Sequence, residues 1–235
     1  MNGRIAFFRH AATSGGTGRA IGRTHVPLSP QGLLQAQGIA TAFGYELESD
    51  PPDAAIRSPK ATCHAMHADT AQSPLPVAAL YSSPAVRARQ TLAPLCSVMN
   101  DEPATVLPEL DEIDLGRWEG MHFDAIKELY PDQYTERGKN IAAFRPPQGE
   151  SFMDVQARMR QALARVSLGP FPAVAVTHAG WLRTLLCYMT GTPLDDLFRF
   201  SPPYACAVVL ELDTGIPSML GYNLRAHEVA ELLRH

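Results

Sequence analysis

Two side chains that could do chemistry, Arg9 and His10, directly follow the apolar run at residues 5–8. The run predicts a buried strand, and a loop of small residues follows at 13–16. Such a strand places a cation and an imidazole at the carboxyl edge of a sheet, where α/β proteins bind ligands. There Arg9 could donate two parallel hydrogen bonds to an anion, joined by backbone N–H groups of the loop. The alternative is an arginine and a histidine exposed side by side at a strand end.

A second histidine occurs in the same setting. Residues 173–177 form another apolar, β-branched run that ends in His178, and a helix-like stretch follows at 181–186. Two strands that each end in histidine before a small residue are consistent with two imidazoles that meet at one sheet edge.

A third segment supplies another arginine. The strand predicted at 77–81 runs into Ser83 and Pro84, which suit the N-cap and the first position of a helix. Arg87 then lies about one turn into that helix, near its positive end. Arg89 lies about 200° further around the helix, so the two arginines cannot share a face.

An acidic segment follows at residues 107–120. Apolar residues interrupt its acids, which argues against a simple solvated run of charge. Taken alone, the segment is more simply explained as an acidic surface loop.

In combination, these segments resemble the histidine phosphatase superfamily, which has the phosphoglycerate mutase-like fold. The resemblance extends from Arg4 to about Tyr222 and rests on the order and spacing of the motifs. These are Arg9-His10, residues 27–32, residues 82–91, residues 112–120, Gly149-Glu150-Ser151 and residues 177–180. Three residues depart from the family pattern: Ala11, His25 and Ala179. They affect the fine geometry around the substrate rather than the chemistry.

The resemblance implies a metal-independent phosphomonoesterase that works through a phosphohistidine and needs no cofactor. It makes His10 the nucleophile and Glu112 the general acid, which protonates the leaving alkoxide and then deprotonates the attacking water. It places Arg9, Arg87 and His178 around the phosphoryl oxygens, and it assigns no residue to a metal.

Two physical requirements accompany these roles. His10 must be neutral, with one ring nitrogen held by a hydrogen bond, and nearby cations favour the neutral form. Glu112 must hold a proton when the leaving group departs, which a nearby phosphate dianion would favour. Asp111 and Asp114 are the competing acids, although Asp111 would face the opposite way on an extended segment.

Strands that alternate with helices predict a three-layer α/β/α sandwich with a mostly parallel central sheet, in one domain over residues 1–235. Helices are predicted from Ser29-Pro30 to about Phe43, over 123–130, over 151–166 with a Ser151–Asp154 capping box, and over 226–233, and late strands over 206–212 and 219–222. Over residues 44–76, several prolines interrupt the alternation of predicted strands and helices, and this predicts an insertion.

Composition argues against several classes of protein. The 46% hydrophobic and 19% charged residues fit a globular core, and the net charge of −4 gives no reason to expect nucleic acid or an anionic membrane as partner.

No apolar stretch approaches the ~20 residues of a membrane span, and Arg9 and His10 interrupt the apolar run near the N-terminus, which argues against a signal peptide. The cysteines, at positions 63, 96, 187 and 206, show no paired spacing, which predicts a cytoplasmic location. The oligomeric state stays undetermined.

Other side chains allow competing interpretations. Cys63, His64 and His67 are metal-ligand types at helical spacing, but no fourth ligand is evident for a structural zinc. Trp118 and Tyr130 could line a base-binding pocket, although core packing is the commoner use.

Four polar residues are ambiguous in the same way. Arg19, Arg23 and His25 could guard the entrance to the site or lie in a solvated loop. Glu150 could face the site, but a tight turn into the N-cap explains its motif equally well.

The substrate is predicted to be a small phosphorylated metabolite. Residues 22–29 and 112–120 look most like the α-ribazole phosphatase branch, which implies α-ribazole 5'-phosphate from cobalamin biosynthesis, with Trp118 and Phe123 packed on its rings. The alternatives are a sugar-phosphate phosphatase, a phosphoglycerate mutase, and a catalytically silent module that binds phosphorylated ligands. The short segment from Glu112 to residues 149–151 favours an open site that admits water over a mutase.

Overall fold

A six-stranded sheet runs through the described residues, which in this computed structural model are 3–47, 73–99, 103–212 and 217–235. The strands are β1 (Arg4–Arg9), β2 (Ala79–Ser82), β3 (Thr105–Val106), β4 (Ala173–Thr177), β5 (Ala207–Glu211) and β6 (Ser218–Leu224). Their order is β3-β2-β4-β1-β5-β6. Strands β1 to β4 are parallel, whereas β5 is antiparallel to both of its neighbours. The predicted mostly parallel sheet is confirmed.

Helices cover both faces of this sheet. They are α1 (Pro30–Ala42), α2 (Val86–Val98), α3 (Phe123–Leu129), α4 (Pro131–Lys139), α5 (Phe152–Val166), α6 (Ala179–Thr190) and α7 (Ala226–Arg234). Side chains alternate along β1, so Phe7 packs in the core formed with α5 and α6. Phe8 packs in the opposite core, formed with α1, α2 and α7. This is the three-layer α/β/α sandwich that the sequence predicts.

The register of β1 and β4 brings two histidines together. Phe8 pairs with Val176 and Arg9 with Thr177, so both strands end at the same level. The backbone N–H of His10 donates to the Thr177 carbonyl at 2.9 Å. The rings of His10 and His178 then lie with their centroids 5.1 Å apart. The expectation that two imidazoles meet at one sheet edge is confirmed.

The start of α2 differs from the prediction. The helix begins at Val86 after an extended Ala85, so the expected N-cap at Ser83 and first helical position at Pro84 are wrong. The Ser83 hydroxyl does accept from the N–H of Ala85 at 3.2 Å, but it lies too early in the chain to cap the helix. Its other contacts belong to the site described below.

Helix α4 is absent from the sequence prediction. Pro131 was expected only to end the preceding helix, which does end at Leu129. However, Pro131 is also the first residue of α4, a position where its fixed φ and missing N–H cost little. In contrast, the capping box of Ser151 and Asp154 at the start of α5 is confirmed.

Most of the predicted insertion lies outside the described residues, as do Cys63, His64 and His67. Whether residues 1–235 form one domain with that insertion stays a prediction. Within the described ranges, no group of three or more His, Cys, Asp or Glu side chains could hold a metal ion. None of the described helices has both the length and the apolar character that crossing a bilayer requires.

Candidate active site

His10 is neutral and its tautomer is defined. Its Nδ1 lies 2.8 Å from the carbonyl oxygen of Ala11, and because that oxygen can only accept, the proton is on Nδ1. The lone pair of the ring is therefore on Nε2. The residue is only 6% exposed. Burial, and next the positive charge of Arg87, lower the pKa of His10 from 6.5 to about 3.

His178 is fully buried and has one ring nitrogen without a partner. Its Nε2 lies 2.7 Å from the hydroxyl of Ser83, and that hydroxyl donates to the carboxylate of Asp111 at 3.0 Å. Since the one Ser83 proton is used on Asp111, Nε2–H of His178 donates to the Ser83 oxygen. Its Nδ1 is buried and has no hydrogen-bond partner within the described ranges. Burial, followed by the charge of Arg87, lowers the pKa of His178 well below 6.5.

Two guanidiniums, half-buried Arg9 and buried Arg87, lie beside the histidines, and each has a buried Nε without a partner among the described residues. Arg9 donates from Nη1 to the Pro202 carbonyl at 2.8 Å, and its guanidinium carbon lies 3.7 Å from the ring centre of Tyr204. Arg87 is 2% exposed and comes from the first turn of α2, as the sequence predicts. Among the described residues, the Nε atoms of both arginines are buried without a hydrogen-bond acceptor.

The loop that precedes α1 positions Arg87. The carbonyls of Gly22 and Thr24 accept from its Nη2 and Nη1 at 2.6 and 2.9 Å. This loop is in turn fixed by the carboxylate of Glu119, which accepts four hydrogen bonds: from the backbone N–H groups of Arg23, Thr24 and Leu115, and from the Thr24 hydroxyl.

Gly22 is required where the loop passes Glu119. Its φ is +46°, and a Cβ there would lie 2.1 Å from Oε1 of Glu119. Sequence analysis missed the role of Glu119. A signal exists in the glycines at 116 and 120 that flank it, both with positive φ, which mark a tight turn around this carboxylate.

Glu112 lies at the positive end of α6. Its Oε2 accepts from the N–H of Gly180 at 3.1 Å and its Oε1 from the N–H of Ile113 at 3.0 Å. A Cβ on Gly180 would lie 2.3 Å from Oε1, so the glycine makes room for this carboxyl group.

The two competing acids are used elsewhere. Asp111 accepts from Ser83, as described above, and Asp114 accepts from the N–H of Gly116 at 2.8 Å and forms an ion pair with Arg23. Neither lines the cavity into which Glu112 opens.

A cavity of about 430 Å³ joins these groups at the carboxyl edge of the sheet. Arg9, His10, Arg87 and Glu112 line it, and the ring of His178 lies behind that of His10. Unpartnered buried polar atoms cost ~1–3 kcal/mol each, so Arg9 Nε and Arg87 Nε, which can only donate, need a ligand with several acceptor oxygens. The arrangement can bind a phosphoryl group next to a neutral imidazole.

The remaining predicted site residues divide between the cavity wall and other roles. Trp118 is buried against Phe144 and Tyr130 and also lines the cavity, as Phe123 does, whereas Tyr130 does not. Glu150 forms ion pairs with Arg23 and Arg158 and does not line the cavity. Of the three residues expected at the entrance, Arg19 lines the cavity, whereas Arg23 and His25 do not.

The comparisons with known proteins agree with this geometry. The chain is 30% identical over 107 residues to a 6-phosphofructo-2-kinase/fructose-2,6-bisphosphatase of Arabidopsis thaliana, which is 46% of this chain and 14% of that protein. It is 24% identical over 126 residues to the adenosylcobalamin/alpha-ribazole phosphatase of Escherichia coli, which is 53% of this chain and 62% of that protein. Each match therefore spans less than two thirds of the relative.

A solved structure extends the likeness over the fold. The alpha-ribazole phosphatase of Shigella flexneri superposes with a TM-score of 0.72 at 21% identity, over 94% of this chain and 96% of that one. The model of the histidine phosphatase superfamily (branch 1) matches residues 63–225, which contain Arg87, Glu112 and His178 and follow Arg9 and His10. Because this match covers more than half of the chain, the protein belongs to the histidine phosphatase superfamily.

Proposed function

We propose that the protein hydrolyses phosphate monoesters of small metabolites through a phosphohistidine at His10. The observation that carries this proposal is the position of a neutral His10, with its lone pair on Nε2, among three buried nitrogens that lack partners within the described ranges. Arg9 and Arg87 supply positive charge for the phosphoryl oxygens, and both can donate from Nε. Family membership supports the same chemistry.

The reaction has two steps at one phosphorus atom. Nε2 of His10 forms a bond to phosphorus while the ester P–O bond breaks, and Glu112 gives its proton to the leaving oxygen. Water then attacks the phosphohistidine, Glu112 takes a proton from that water, and the P–N bond breaks to release inorganic phosphate. Neutral His10 and protonated Glu112 are thereby restored.

His178 has an electrostatic role in this proposal. Its Nδ1 can donate to a phosphoryl oxygen only when the ring carries a second proton. A bound phosphate dianion favours that proton, because it brings negative charge close to the imidazole. The Ser83–Asp111 pair holds the opposite nitrogen and so keeps Nδ1 in place.

The identity of the alcohol is a separate question. α-Ribazole 5'-phosphate stays the prediction from the motifs, and the names of the relatives add fructose 2,6-bisphosphate as a second candidate. Two competing functions are a phosphoglycerate mutase and a silent module that binds phosphorylated ligands. Specificity constants for α-ribazole phosphate, 3-phosphoglycerate and fructose phosphates, measured side by side, decide between these functions and substrates.

His10→Ala tests the chemistry directly. We expect turnover of p-nitrophenyl phosphate to fall by several orders of magnitude, because the nucleophile is lost. Wild-type protein quenched during turnover should carry acid-labile, base-stable phosphate that the variant lacks. His227→Ala, at an exposed histidine of α7, is the matched control. A His10→Ala protein that keeps most of its activity would show that the proposal is wrong.

A further inference from the structure

Two more arginines, Arg137 and Arg183, line the same cavity. Arg137 comes from α4 and Arg183 from α6, and both contact the ring of Phe198 in the 3₁₀ turn Leu194–Arg199. Their guanidinium carbons lie 5.6 and 5.1 Å from the centre of that ring. Three separate segments thus bring two cations to one aromatic side chain on the cavity wall.

Neither arginine has an ion-pair partner within the described ranges, although the carboxylate of Glu112 attracts Arg183 from a longer distance. Among the residues of those ranges, neither side chain forms a salt bridge. The side chain of Arg137 forms no hydrogen bond there, and that of Arg183 donates only from Nε to the Phe200 carbonyl. In contrast, the partly buried Arg158 near the site pairs with Glu150. Burial lowers the pKa of both Arg137 and Arg183, although guanidiniums stay protonated in proteins.

The charge balance of the cavity favours a ligand with more than one anionic group. In the part of the chain that the structure describes, its walls contain five arginines and one carboxylate, and these are Arg9, Arg19, Arg87, Arg137, Arg183 and Glu112. A phosphate monoester dianion at Arg9 and Arg87 accounts for only part of this positive charge. Arg137 and Arg183, both half-buried and stacked on Phe198, remain without an ion-pair partner among the described residues.

We propose that the alcohol portion of the substrate carries a second anionic group, a carboxylate or a phosphate, that binds to Arg137 and Arg183. This inference rests on the proposed phosphatase function and adds the substrate class to it. A planar guanidinium can bind either group through two parallel hydrogen bonds. α-Ribazole 5'-phosphate has no such group on its alcohol, so the proposal predicts a substrate order opposite to the one expected from the motifs.

The test uses substrates that differ in one group. 3-Phosphoglycerate and glycerol 3-phosphate share a three-carbon skeleton and differ by a carboxylate against a hydroxymethyl group. Fructose 1,6-bisphosphate and fructose 6-phosphate supply the corresponding comparison for a second phosphate. For the wild-type protein we expect kcat/KM to favour the doubly anionic member of at least one pair by about ten-fold or more, the size expected for one charge-assisted contact.

Variants of Arg137 assign the effect to this site. Arg137→Met should bring the kcat/KM ratio of the favoured pair close to one, and Arg137→Glu should reverse it. Arg137→Lys keeps the charge and should keep a ratio above one. The control is Arg160→Met, since Arg160 also stacks on an aromatic ring, 4.8 Å from the centre of Tyr188, but lies outside the cavity. This control should keep the wild-type ratio.

The two proposals fail in different ways. If the wild-type protein hydrolyses neither p-nitrophenyl phosphate nor any phosphate ester of the panel, the proposed function is wrong. If it hydrolyses them but both pairs give ratios near one, only the second anion subsite is wrong. A ratio that Arg137→Met and Arg137→Glu leave unchanged in folded protein, as judged by thermal unfolding, also overturns the subsite.

Discussion

A single backbone carbonyl determines which nitrogen of His10, the proposed nucleophile, has a free lone pair. Ala11 stands where a glycine is usual in the family pattern, yet its carbonyl still holds Nδ1–H at 2.8 Å. Ala11 is itself fully buried, and its N–H donates to the hydroxyl of Thr91 at 2.9 Å. Alanine in place of the usual glycine is therefore buried next to the ring of His10 and leaves the tautomer of that ring unchanged.

The buried, neutral state of His10 also makes stability depend on pH. Its pKa is about 3 in the folded protein and 6.5 when exposed, so between these values the unfolded chain binds more protons. The stabilisation is complete above pH 6.5 and is lost as the pH falls towards 3. From pH 7.5 to pH 5, this one residue should lower the free energy of unfolding by about 2 kcal/mol.

Denaturant unfolding of the wild-type protein and of His10→Gln at both pH values measures this effect. The variant should lose about 2 kcal/mol less than the wild type over that interval, because glutamine does not titrate. His227→Gln, at the exposed histidine of α7, should follow the wild type. Identical pH dependence in the wild type and His10→Gln would contradict the neutral, desolvated state of His10.

At the scale of elements, the start of α6 supports Glu112, the proposed proton donor. The helix follows directly from the strand end at His178, and its second residue, Gly180, donates an N–H to Glu112. One short stretch of chain therefore supplies both the proposed phosphoryl contact, His178, and the support of the proposed acid, Glu112. The absence of a side chain at Gly180 is what lets the carboxyl group lie against the helix.

Gly180→Ala should separate activity from stability. Alanine is favoured over glycine in a helix by ~1 kcal/mol, so the free energy of unfolding should not fall. The new Cβ would displace the flexible end of Glu112, so kcat/KM for alkyl phosphates should fall by about ten-fold or more. The loss should be smaller for p-nitrophenyl phosphate, whose leaving group needs less protonation.

Gly38→Ala is the matched control, because a Cβ at this exposed position of α1 meets no atom within 4 Å. It should leave both activities at the wild-type level. An equal loss for good and poor leaving groups in Gly180→Ala would move the acid role away from Glu112, and Asp114 would be tested next.

At the scale of the whole molecule, the short, exposed strand β3 was not predicted from the sequence. The buried central strands and the edge that holds the two histidines could be predicted because such strands are continuous apolar runs. Residues 173–177 were predicted with the observed bounds of β4 for this reason. Helix α4 has no buried residue among those it contains, so no apolar stripe marked it, and the position of Arg137 was hidden with it. The link between Glu119 and Arg23 joins residues 96 positions apart, a separation that no local pattern reveals.

The electrostatics of the whole site lead to a prediction about metals. Side chains supply the positive charge of the cavity, so full phosphatase activity should survive exhaustive chelation and dialysis. The measurement is kcat/KM for p-nitrophenyl phosphate before and after treatment with EDTA. Activity that disappears and returns only with added Zn²⁺ would contradict metal independence and direct attention to Cys63, His64 and His67.

The four hydrogen bonds accepted by Glu119 have a consequence for genetic studies of this protein. Glu119 does not line the cavity, yet the carbonyls that hold Arg87 belong to the loop that this carboxylate fixes. A screen of single substitutions scored by phosphatase activity should therefore rank position 119 with the proposed reacting groups. Positions sensitive to substitution in such a screen should therefore include residues that fix the backbone around the site, as well as the residues that line the cavity.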